Sequence, residues 1–440
     1  MIKPASTQPS PPDVDSFGPE SPAYARYVLG VLFFVGVFAL VDRQIFGMLI
    51  EPLKQEFHVS DTWLGLASGL SFALFYGAAG IPIARLADRG NRRGILAAGL
   101  GLWSALTLAS GFATSFAQLV VARLAIGVGE AAGTPTAHAL IADYFPPERR
   151  TRALAVYSAG ASAGVILAYL VGGWVQEVWG WRGVFLALGA PGVALSFLVR
   201  TTVREPRRGR FETRAVTPLS TREALRRLLA QPAYRFVLAS FALHSLAHSA
   251  ASMWNPAYLA RVHGMAPREI GTLLALGSAS FAALGVITGG VVTDRLAAAD
   301  RRWLLRLPGF ASLAYAPLSL LFLFAPNREL ALVGLASSAF LSGIAIPGMH
   351  AATQELAEPT SRATASALNL LILTLVGSGL GPTLVGVAND LLAGSLGDGA
   401  VRWSLALAAM VNAGSGTQAL LGARRLAGVV TSRPASPPTR

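Results

Sequence analysis

Long apolar segments alternate with short polar loops along almost the whole chain. Twelve such segments can be distinguished. Because about 20 apolar residues in a helix span the hydrocarbon core of a bilayer, each is predicted to be a transmembrane helix. The segments cover residues 27–50, 62–87, 94–113, 116–142, 152–174, 183–203, 233–260, 269–293, 304–325, 329–356, 362–390 and 400–427. The pattern predicts an all-α membrane protein.

The composition agrees with this pattern. Of 440 residues, 53% are hydrophobic and 13% are charged, a charge content too low for an ordinary soluble domain. The net charge of +13 comes from arginines in the loops, so the positive-inside rule explains it and nucleic acid is not an expected partner. Arginine-rich loops alternate with acidic or nearly uncharged ones. This predicts an integral multi-pass protein of the cell (inner) membrane with both termini cytoplasmic.

The longest polar stretch divides the segments into six and six. It contains Leu219 to Leu229, which is either a short amphipathic helix on the membrane surface or a solvated connector. Similar sequences recur in the two parts, since Asp88-Arg89 follows the second segment and Asp294-Arg295 follows the eighth. We therefore predict two six-helix halves, residues 26–203 and 233–427, joined by a cytoplasmic basic linker, residues 204–232, and flanked by disordered cytoplasmic tails, residues 1–25 and 428–440.

Charged residues lie deep within two of the apolar segments. Asp42 and Arg43 lie in the first, and Arg123 and Glu130 lie in the fourth. A charge at membrane depth costs at least about 2.5 to 3.5 kcal/mol, so such residues usually face the interior of a helix bundle and mark a transport path. Arg123 and Glu130 are seven residues apart, close to two helical turns, and so share one face. These four residues are the leading functional candidates.

The first and fourth segments run in opposite directions, which allows two kinds of ion pair. Either Asp42 pairs with Arg123, or Arg43 pairs with Glu130. We hypothesise that Asp42 and Glu130 exchange protons as their cavity changes its exposure, and that Arg43 or Arg123 binds an anionic head group. The alternative is a permanent structural ion pair that holds the two segments together.

Other polar residues are candidates for the wall of a substrate cavity. His244 and His248 lie one turn apart in the seventh segment, Tyr157 lies in the fifth and Asn369 in the eleventh. A histidine pair can bind metal, but no carboxylate or cysteine accompanies this one, so we predict a polar wall and no metal. The chain has no cysteine. Walker A and HExxH motifs are also absent, and the match Gly160-x-Ser162-x-Gly164 lies inside an apolar segment and not at a strand–helix turn, so we expect neither an enzyme nor a cofactor.

Several motifs together resemble those of the major facilitator superfamily, over about residues 27–427. They are the loop Asp88-Arg89-x-x-Arg92-Arg93, the fourth-segment motif Arg123-x-x-x-Gly127-x-Gly129 and the junction Gly180-Trp181-Arg182-x-x-Phe185. The resemblance implies twelve transmembrane helices in two pseudo-symmetric halves and transport by alternating access. It also implies a cytoplasmic gate, for which the candidates are Asp88, Arg89, Arg92, Arg93, Asp294 and Arg295; the alternative is that the arginines only fix topology.

Within this superfamily, Asp42-Arg43 and Gly127-Val128-Gly129-Glu130 look most like the Spinster-type branch. Members of that branch transport lysophospholipids or sphingosine-1-phosphate, with proton coupling implicated for some. The organic anion symporter branch shares the Asp-Arg pair and the glutamate, so small organic anions or drugs stay as alternative substrates. The resemblance implies a secondary active transporter of an amphipathic lipid, with protons and membrane lipids as partners, and we expect a monomer.

Overall fold

The computed structural model describes residues 21–207, 221–358 and 361–431, and nearly all of them are helical. Eight stretches in these residues are apolar and long enough to cross a membrane once, and two longer ones each contain two crossings. The described part of the chain thus has the twelve membrane helices that the hydropathy pattern predicts. Residues 1–20 and 432–440 of the predicted tails lie outside it.

The first half consists of six antiparallel helices. They are α1 (Pro22–Met48), α2 (Asp61–Ser68 and Leu70–Arg89), α3 (Arg92–Ser110), α4 (Phe116–Glu130 and Gly133–Tyr144), and α5 and α6, which together form Pro147–Thr202. The short helix Ile50–Phe57 connects α1 to α2. Helix α1 starts before the predicted boundary at residue 26, because Ser21 caps it by accepting a hydrogen bond from the Tyr24 N–H.

Gly180 separates α5 from α6. Its φ of 65° is non-helical and lies in a region that residues with a Cβ rarely adopt. The next two residues fasten the turn, since Trp181 Nε1 donates to Glu56 at 2.7 Å and Arg182 donates to both oxygens of the same carboxylate. The junction motif of the sequence therefore forms a clamp within the first half.

The second half repeats the arrangement. It contains α7 (Pro232–His263), α8 (Pro267–Leu274, Ala275–Ala279 and Ser280–Ala299), α9 (Trp303–Phe324), α10 (Arg328–Leu356), α11 (Arg362–Ile372, Leu373–Leu380 and Gly381–Leu396) and α12 (Ala400–Thr431). The middle stretch of α8 and that of α11 are π-helical. A π-helical turn inserts extra backbone into a helix and is frequent at functional sites.

A surface helix, Thr221–Ala230, lies in the linker. Ala224 and Leu228 are buried, and Arg227 forms ion pairs with Glu223 at 2.6 Å and with Glu358 of the second half at 3.4 Å. The predicted amphipathic segment is therefore helical over its described residues and is attached to the second half, while residues 208–220 of the linker lie outside the described part.

We call the membrane side that carries this linker the linker side, and the other the opposite side. The halves share one hydrophobic core on the opposite side, where Ile50 and Trp254 belong to the same buried cluster. Towards the linker side each half has its own buried cluster, around Val203 in the first half and around Leu305 in the second. The two halves are thus packed together on the opposite side and separate towards the linker side.

Glycines permit this close packing. A Cβ at Gly65 of α2 would lie 2.6 Å from the carbonyl oxygen of Pro382 in α11, and a Cβ at Gly173 of α5 would lie 2.5 Å from that of Pro267 in α8. Both distances are far below van der Waals contact, so only glycine allows the helices of the two halves to approach this closely.

Candidate functional site

An ion pair deep in the first half joins α1 to α4. Arg43 Nε donates to Glu130 Oε2 at 2.6 Å, with the Glu130 side chain 1% exposed and that of Arg43 21% exposed. The Arg43 guanidinium also lies over the rings of Tyr76, at 4.7 Å, and Phe72, at 5.2 Å. Of the two kinds of pair that the sequence allowed, this one forms, and its arginine is accessible.

Asp42 and Arg123 meet in a different way. Arg123 Nη1 donates to the main-chain carbonyl oxygen of Asp42 at 2.9 Å, while the Asp42 carboxylate accepts a hydrogen bond from Thr107 Oγ1 at 2.8 Å. Arg123 is 2% exposed and its guanidinium lies over the ring of Phe46 at 5.3 Å. Arg123 is therefore buried between α4 and α1, where it fixes the two helices against each other.

Asp42, Arg43, Arg123 and Glu130 together form an ionic centre, and it contains polar atoms without partners among the described residues. Among the described residues, Glu130 Oε1 and Arg123 Nε are buried and make no hydrogen bond. A buried carboxylate oxygen without a donor carries charge that no hydrogen bond compensates. Thr107, which sequence reasoning missed, gives the second carboxylate its donor; its only sequence signal is a hydroxyl in an apolar segment.

Tyr157 and Asn369 occupy different environments. Tyr157 is buried in the first half, with its hydroxyl 3.5 Å from Thr134 Oγ1 and its ring edge-on to His138 at 5.3 Å. Asn369 Nδ2 donates to Thr353 Oγ1 at 2.8 Å and joins α11 to α10 near the linker side. Tyr157 thus lies within the first-half bundle, whereas Asn369 forms part of a helix contact.

The two histidines of α7 are stacked, with ring centroids 6.2 Å apart and planes 8° from parallel. His244 Nδ1 lies 3.1 Å from Asn412 Oδ1, and His248 Nδ1 lies 3.1 Å from Ser342 Oγ. His248 lines a cavity, whereas His244 is buried behind it. Across the described ranges, no three metal-ligating side chains form a group.

The cavity of His248 lies between the halves and has a volume of about 180 Å³. Gln44 and Tyr169 are part of its first-half wall, and both are hydrogen-bonded across the interface to Ser252 of α7. Gln44 directly follows Arg43, so the cavity begins beside the ionic centre. Sequence reasoning missed Gln44 and Ser252; the signal for Gln44 was a polar residue next to two charged ones within an apolar segment.

The gate candidates with described side chains do not meet across the halves. Arg92 forms an ion pair with Asp143, the N–H groups of Arg92 and Arg93 donate to Glu205 at 2.8 Å, and Arg93 Nη1 donates to the carbonyl oxygen of Val203 at 3.3 Å. Asp143 and Val203 belong to the first half and Glu205 to the start of the linker, so none of these partners lies in the second half. The remaining gate candidates with described side chains, Arg89, Asp294 and Arg295, are exposed, and the side chain of Asp88 is outside the described part.

An ionic network that sequence reasoning missed closes the opposite side. Arg261 of α7 donates to both oxygens of Asp61 at the start of α2, and its Nε donates to Glu51 at 2.7 Å. Lys54 Nζ also donates to Asp61 at 2.7 Å. Burial raises the pKa of Glu51, and the charge of Arg261 opposes that effect. The Asp61 side chain is 1% exposed, so this is a largely dehydrated contact between the halves.

Helix α11 completes the network. Asn389 Nδ2 donates to Asp61 at 2.9 Å, and the Asp390 carboxylate accepts the N–H groups of Asp61, at 3.1 Å, and Thr62, at 2.8 Å. Those N–H groups belong to the first turn of α2, where an anionic partner is favourable. Asp61 is thus held by two helices of the second half, α7 and α11, and by Lys54 of the connecting helix, which keeps the opposite side closed.

Comparisons with known proteins agree with this geometry. The family model described as Major Facilitator Superfamily matches residues 32–382. An "MFS-type efflux pump" of Mycolicibacterium smegmatis is 35% identical over 90% of this chain and 91% of its own length. "Protein spinster homolog 1" of Homo sapiens is 28% identical over 84% and 74%, and a "Sphingosine-1-phosphate transporter SPNS2" of Xenopus tropicalis is 28% identical over 82% and 73%.

A solved structure is similar over nearly its whole length. It is a bacterial homologue of the human lysosomal transporter Spinster in an inward-facing, unoccupied conformation; it is 27% identical and superposes with a TM-score of 0.86 over 93% of this chain and 98% of its own. Proteins of this family are transporters and not enzymes. Because the family model, the curated relatives and this structure agree, the chain belongs to the Major Facilitator Superfamily, as a transporter of its Spinster type.

Proposed function

We propose that this protein is a proton-coupled secondary transporter that moves an amphipathic lipid, such as a lysophospholipid or a sphingosine-1-phosphate-like molecule, by alternating access. The observation that carries the proposal is the accessible ion pair of Arg43 with Glu130. An ion pair with one buried and one accessible member responds both to a proton and to an anion.

The coupling follows from the chemistry of this pair. A proton on Glu130 neutralises the carboxylate and weakens its attraction for Arg43, which leaves the guanidinium free to bind a phosphate. When the proton leaves, the ion pair forms again and competes with the substrate. Asp42, held by Thr107, is the second proton site of the proposal. Arg123 supports both sites by fixing α1 against α4.

The proposed orientation places the linker side in the cytoplasm, with both termini there, in the cell (inner) membrane. The arginine bias of the linker-side loops supports it. The described conformation is then inward-facing. In the outward-facing state, the gate residues Asp88, Arg89, Arg92 and Arg93 and their second-half counterparts, Asp294 and Arg295, make contacts across the closed cytoplasmic side.

A lipid substrate is supported by the surroundings of Arg43. Its guanidinium is stacked on aromatic rings, so an anionic head group there has apolar surface beside it. The relatives named as Spinster homologues and as a sphingosine-1-phosphate transporter support the same class. We propose that the protein acts as a monomer, with His248 as part of the cavity wall.

Small organic anions or drugs are the second candidate substrate class. The relative named as an efflux pump in Mycolicibacterium smegmatis supports it. The polar lining around His248 and Ser252 also suits a compact, hydrated solute. Both candidates use the same ionic centre and differ in the size and apolar content of the substrate.

Transport in proteoliposomes tests the proposal. Uptake of a labelled lysophospholipid is measured with and without an imposed proton gradient, for the wild type, Glu130→Gln and Asp42→Asn. We expect gradient-dependent uptake in the wild type and a loss of about 100-fold in Glu130→Gln, since the proton site is removed. Glu269→Gln, which makes the same change at an exposed position, is the matched control and keeps wild-type rates.

Two results would contradict the proposal. If Glu130→Gln and Asp42→Asn both retain full gradient-driven uptake, proton coupling does not run through these carboxylates. If the wild type carries no lysophospholipid but takes up a small organic anion, the second substrate class replaces the first.

A further inference from the structure

The cavity between the halves has a chemical character of its own. Its second-half wall contains six hydroxyl side chains, from Ser252, Ser278, Ser319, Ser338, Ser342 and Tyr315. Among the described residues that line it, there is no aspartate, glutamate, lysine or arginine. It is therefore distinct in chemistry from the ionic centre of Arg43, although the two are adjacent through Gln44.

Two polar groups in this wall have no protein partner. Within the part of the chain that the structure describes, neither the Asn255 amide nor the Ser278 hydroxyl makes a side-chain hydrogen bond. Both face the cavity. Polar groups inside a membrane protein are normally satisfied by protein, water or ligand, because leaving them unpaired is costly. The remaining wall contributes the Ser342 hydroxyl, which is shared with His248.

We infer that this cavity is a second substrate subsite, which binds an uncharged, hydroxyl-bearing group such as the glycerol or sugar of a lipid head group. The amide of Asn255 and the hydroxyls of Ser278 and Ser342 donate and accept hydrogen bonds with that group, while Arg43 binds the adjacent phosphate. The inference rests on the proposed function only for the phosphate; the hydroxyl subsite follows from the cavity itself.

The lining disfavours the other parts of a lipid as occupants. An ammonium or choline group would enter a site without a carboxylate, and an acyl chain would bury the Asn255 amide against methylene groups, at a cost of about 1 to 3 kcal/mol. Hydroxyl groups match the amide and hydroxyls as both donors and acceptors. The substrate preferred by this protein therefore carries free hydroxyls close to its phosphate.

Direct binding to the full chain in nanodiscs tests this subsite with three probes that share a decyl chain. Decyl phosphate has no hydroxyl-bearing group, decyl phosphoglycerol has one beside its phosphate, and decyl glucoside has hydroxyls but no phosphate. Each is titrated calorimetrically, with empty nanodiscs subtracted. The variants are Asn255→Leu, which is close in shape, and Ser278→Ala; Ser404→Ala, which removes a hydroxyl bonded within α12, is the control.

We expect the wild type to bind decyl phosphoglycerol more tightly than decyl phosphate. Each subsite variant should lose about tenfold in affinity for decyl phosphoglycerol and for decyl glucoside, the worth of one hydrogen bond of about 1.4 kcal/mol. Binding of decyl phosphate should be unchanged, which also shows that the variants are folded. Ser404→Ala should match the wild type with every probe.

Equal wild-type affinity for the two phosphates, or an equal loss for all probes in Asn255→Leu, would overturn the subsite. The proposed function fails in a different way. If Arg43→Gln leaves binding of both phosphates unchanged, the phosphate site is wrong, whereas loss of decyl glucoside binding in Asn255→Leu still supports the hydroxyl subsite.

Discussion

Three consecutive residues of α1 contact three different parts of the protein. The Asp42 carboxylate bonds to α3, Arg43 pairs with α4, and Gln44 bonds to α7 in the other half. Successive residues of an α-helix point about 100° apart, which is why a single turn can reach all three. A change of charge at Asp42 or Arg43 therefore occurs next to Gln44, which contacts the other half.

Thr107 is predicted to position Asp42 for proton transfer. Thr107→Val keeps the shape but removes the donor, and we expect gradient-driven transport to fall by about fivefold, as for the loss of a hydrogen bond of about 1 kcal/mol. Thr107→Ser retains the hydroxyl and should restore the rate. Initial rates in proteoliposomes measure this. Equal rates for the valine and serine variants would show that the hydrogen bond has no part in transport.

Glu56 provides a pH-dependent contribution to stability. Hydrogen bonds from Arg182 and Trp181 lower the pKa of Glu56 below its ordinary value. A carboxyl group whose pKa is lowered by folding stabilises the folded state at pH values above its pKa in the unfolded chain. This stabilisation is lost as the pH falls through its pKa in the folded protein.

Because Glu56 is exposed, we expect Glu56→Gln to lower the free energy of unfolding by less than about 1 kcal/mol at pH 7. At about pH 4 the decrease should be smaller than at pH 7. Thermal unfolding in detergent measures the difference, with Glu148→Gln, an exposed carboxylate on the linker side, as the control. If the difference in stability between the wild type and Glu56→Gln were larger at acid pH than at pH 7, the sign of this contribution would be wrong.

On the opposite side, helices of the two halves approach each other closely at glycine residues, where no side chain separates their backbones. At Gly173, α5 meets α8 so closely that a Cβ would lie 2.5 Å from the carbonyl oxygen of Pro267. At Gly290, also in α8, a Cβ would meet nothing within 4 Å. The two glycines therefore differ in function, since only the first sets how near the halves can come.

Gly173→Leu is predicted to hold the opposite side open. The chain has no cysteine, so Ala257→Cys supplies a single thiol at a position that is 1% exposed in the described state. We expect Gly173→Leu to raise its rate of labelling by a membrane-impermeant maleimide by about tenfold, because the leucine side chain cannot fit in the closed state. Gly290→Leu is the matched control and should not change the rate. Equal labelling in all three proteins would contradict this role.

For the whole molecule, the ionic network of Asp61 and Arg261 sets the balance between its two states. It joins the halves only when the opposite side is closed, so it contributes free energy to that state alone. Glycine contacts and the shared hydrophobic core act in the same direction. A transporter must break all of them in each cycle, which limits how strong the network can be.

Arg261→Gln is predicted to shift the population towards the state open on the opposite side, because Asp61 loses its strongest partner. Spin labels at Gln55 and Gly394, both exposed on that side, should show a longer distance in pulsed dipolar spectroscopy. Arg261→Lys, which keeps a positive charge beside Asp61 and Glu51, should stay closer to the short wild-type distance. Arg182→Gln is the control, since it breaks an ion pair of the same side within one half. An unchanged distance in Arg261→Gln would show that the network does not hold the halves together.

Hydropathy and motifs alone predicted the twelve membrane helices and the superfamily. The reason is that transfer of a segment into the bilayer is a sum over its own residues and needs no knowledge of neighbours. The same reasoning marked Asp42, Arg43, Arg123 and Glu130, because a charge in an apolar segment is costly wherever the segment packs.

Only the tertiary structure decided how those charges pair. The rotation of α1 against α3 and α4 brings Arg43 to Glu130 and Thr107 to Asp42, and it turns Arg123 towards a main-chain carbonyl. It also decided that the halves meet through Asp61 and residues about 200 and 330 positions away, contacts that no local pattern encodes, because they depend on how distant helices pack.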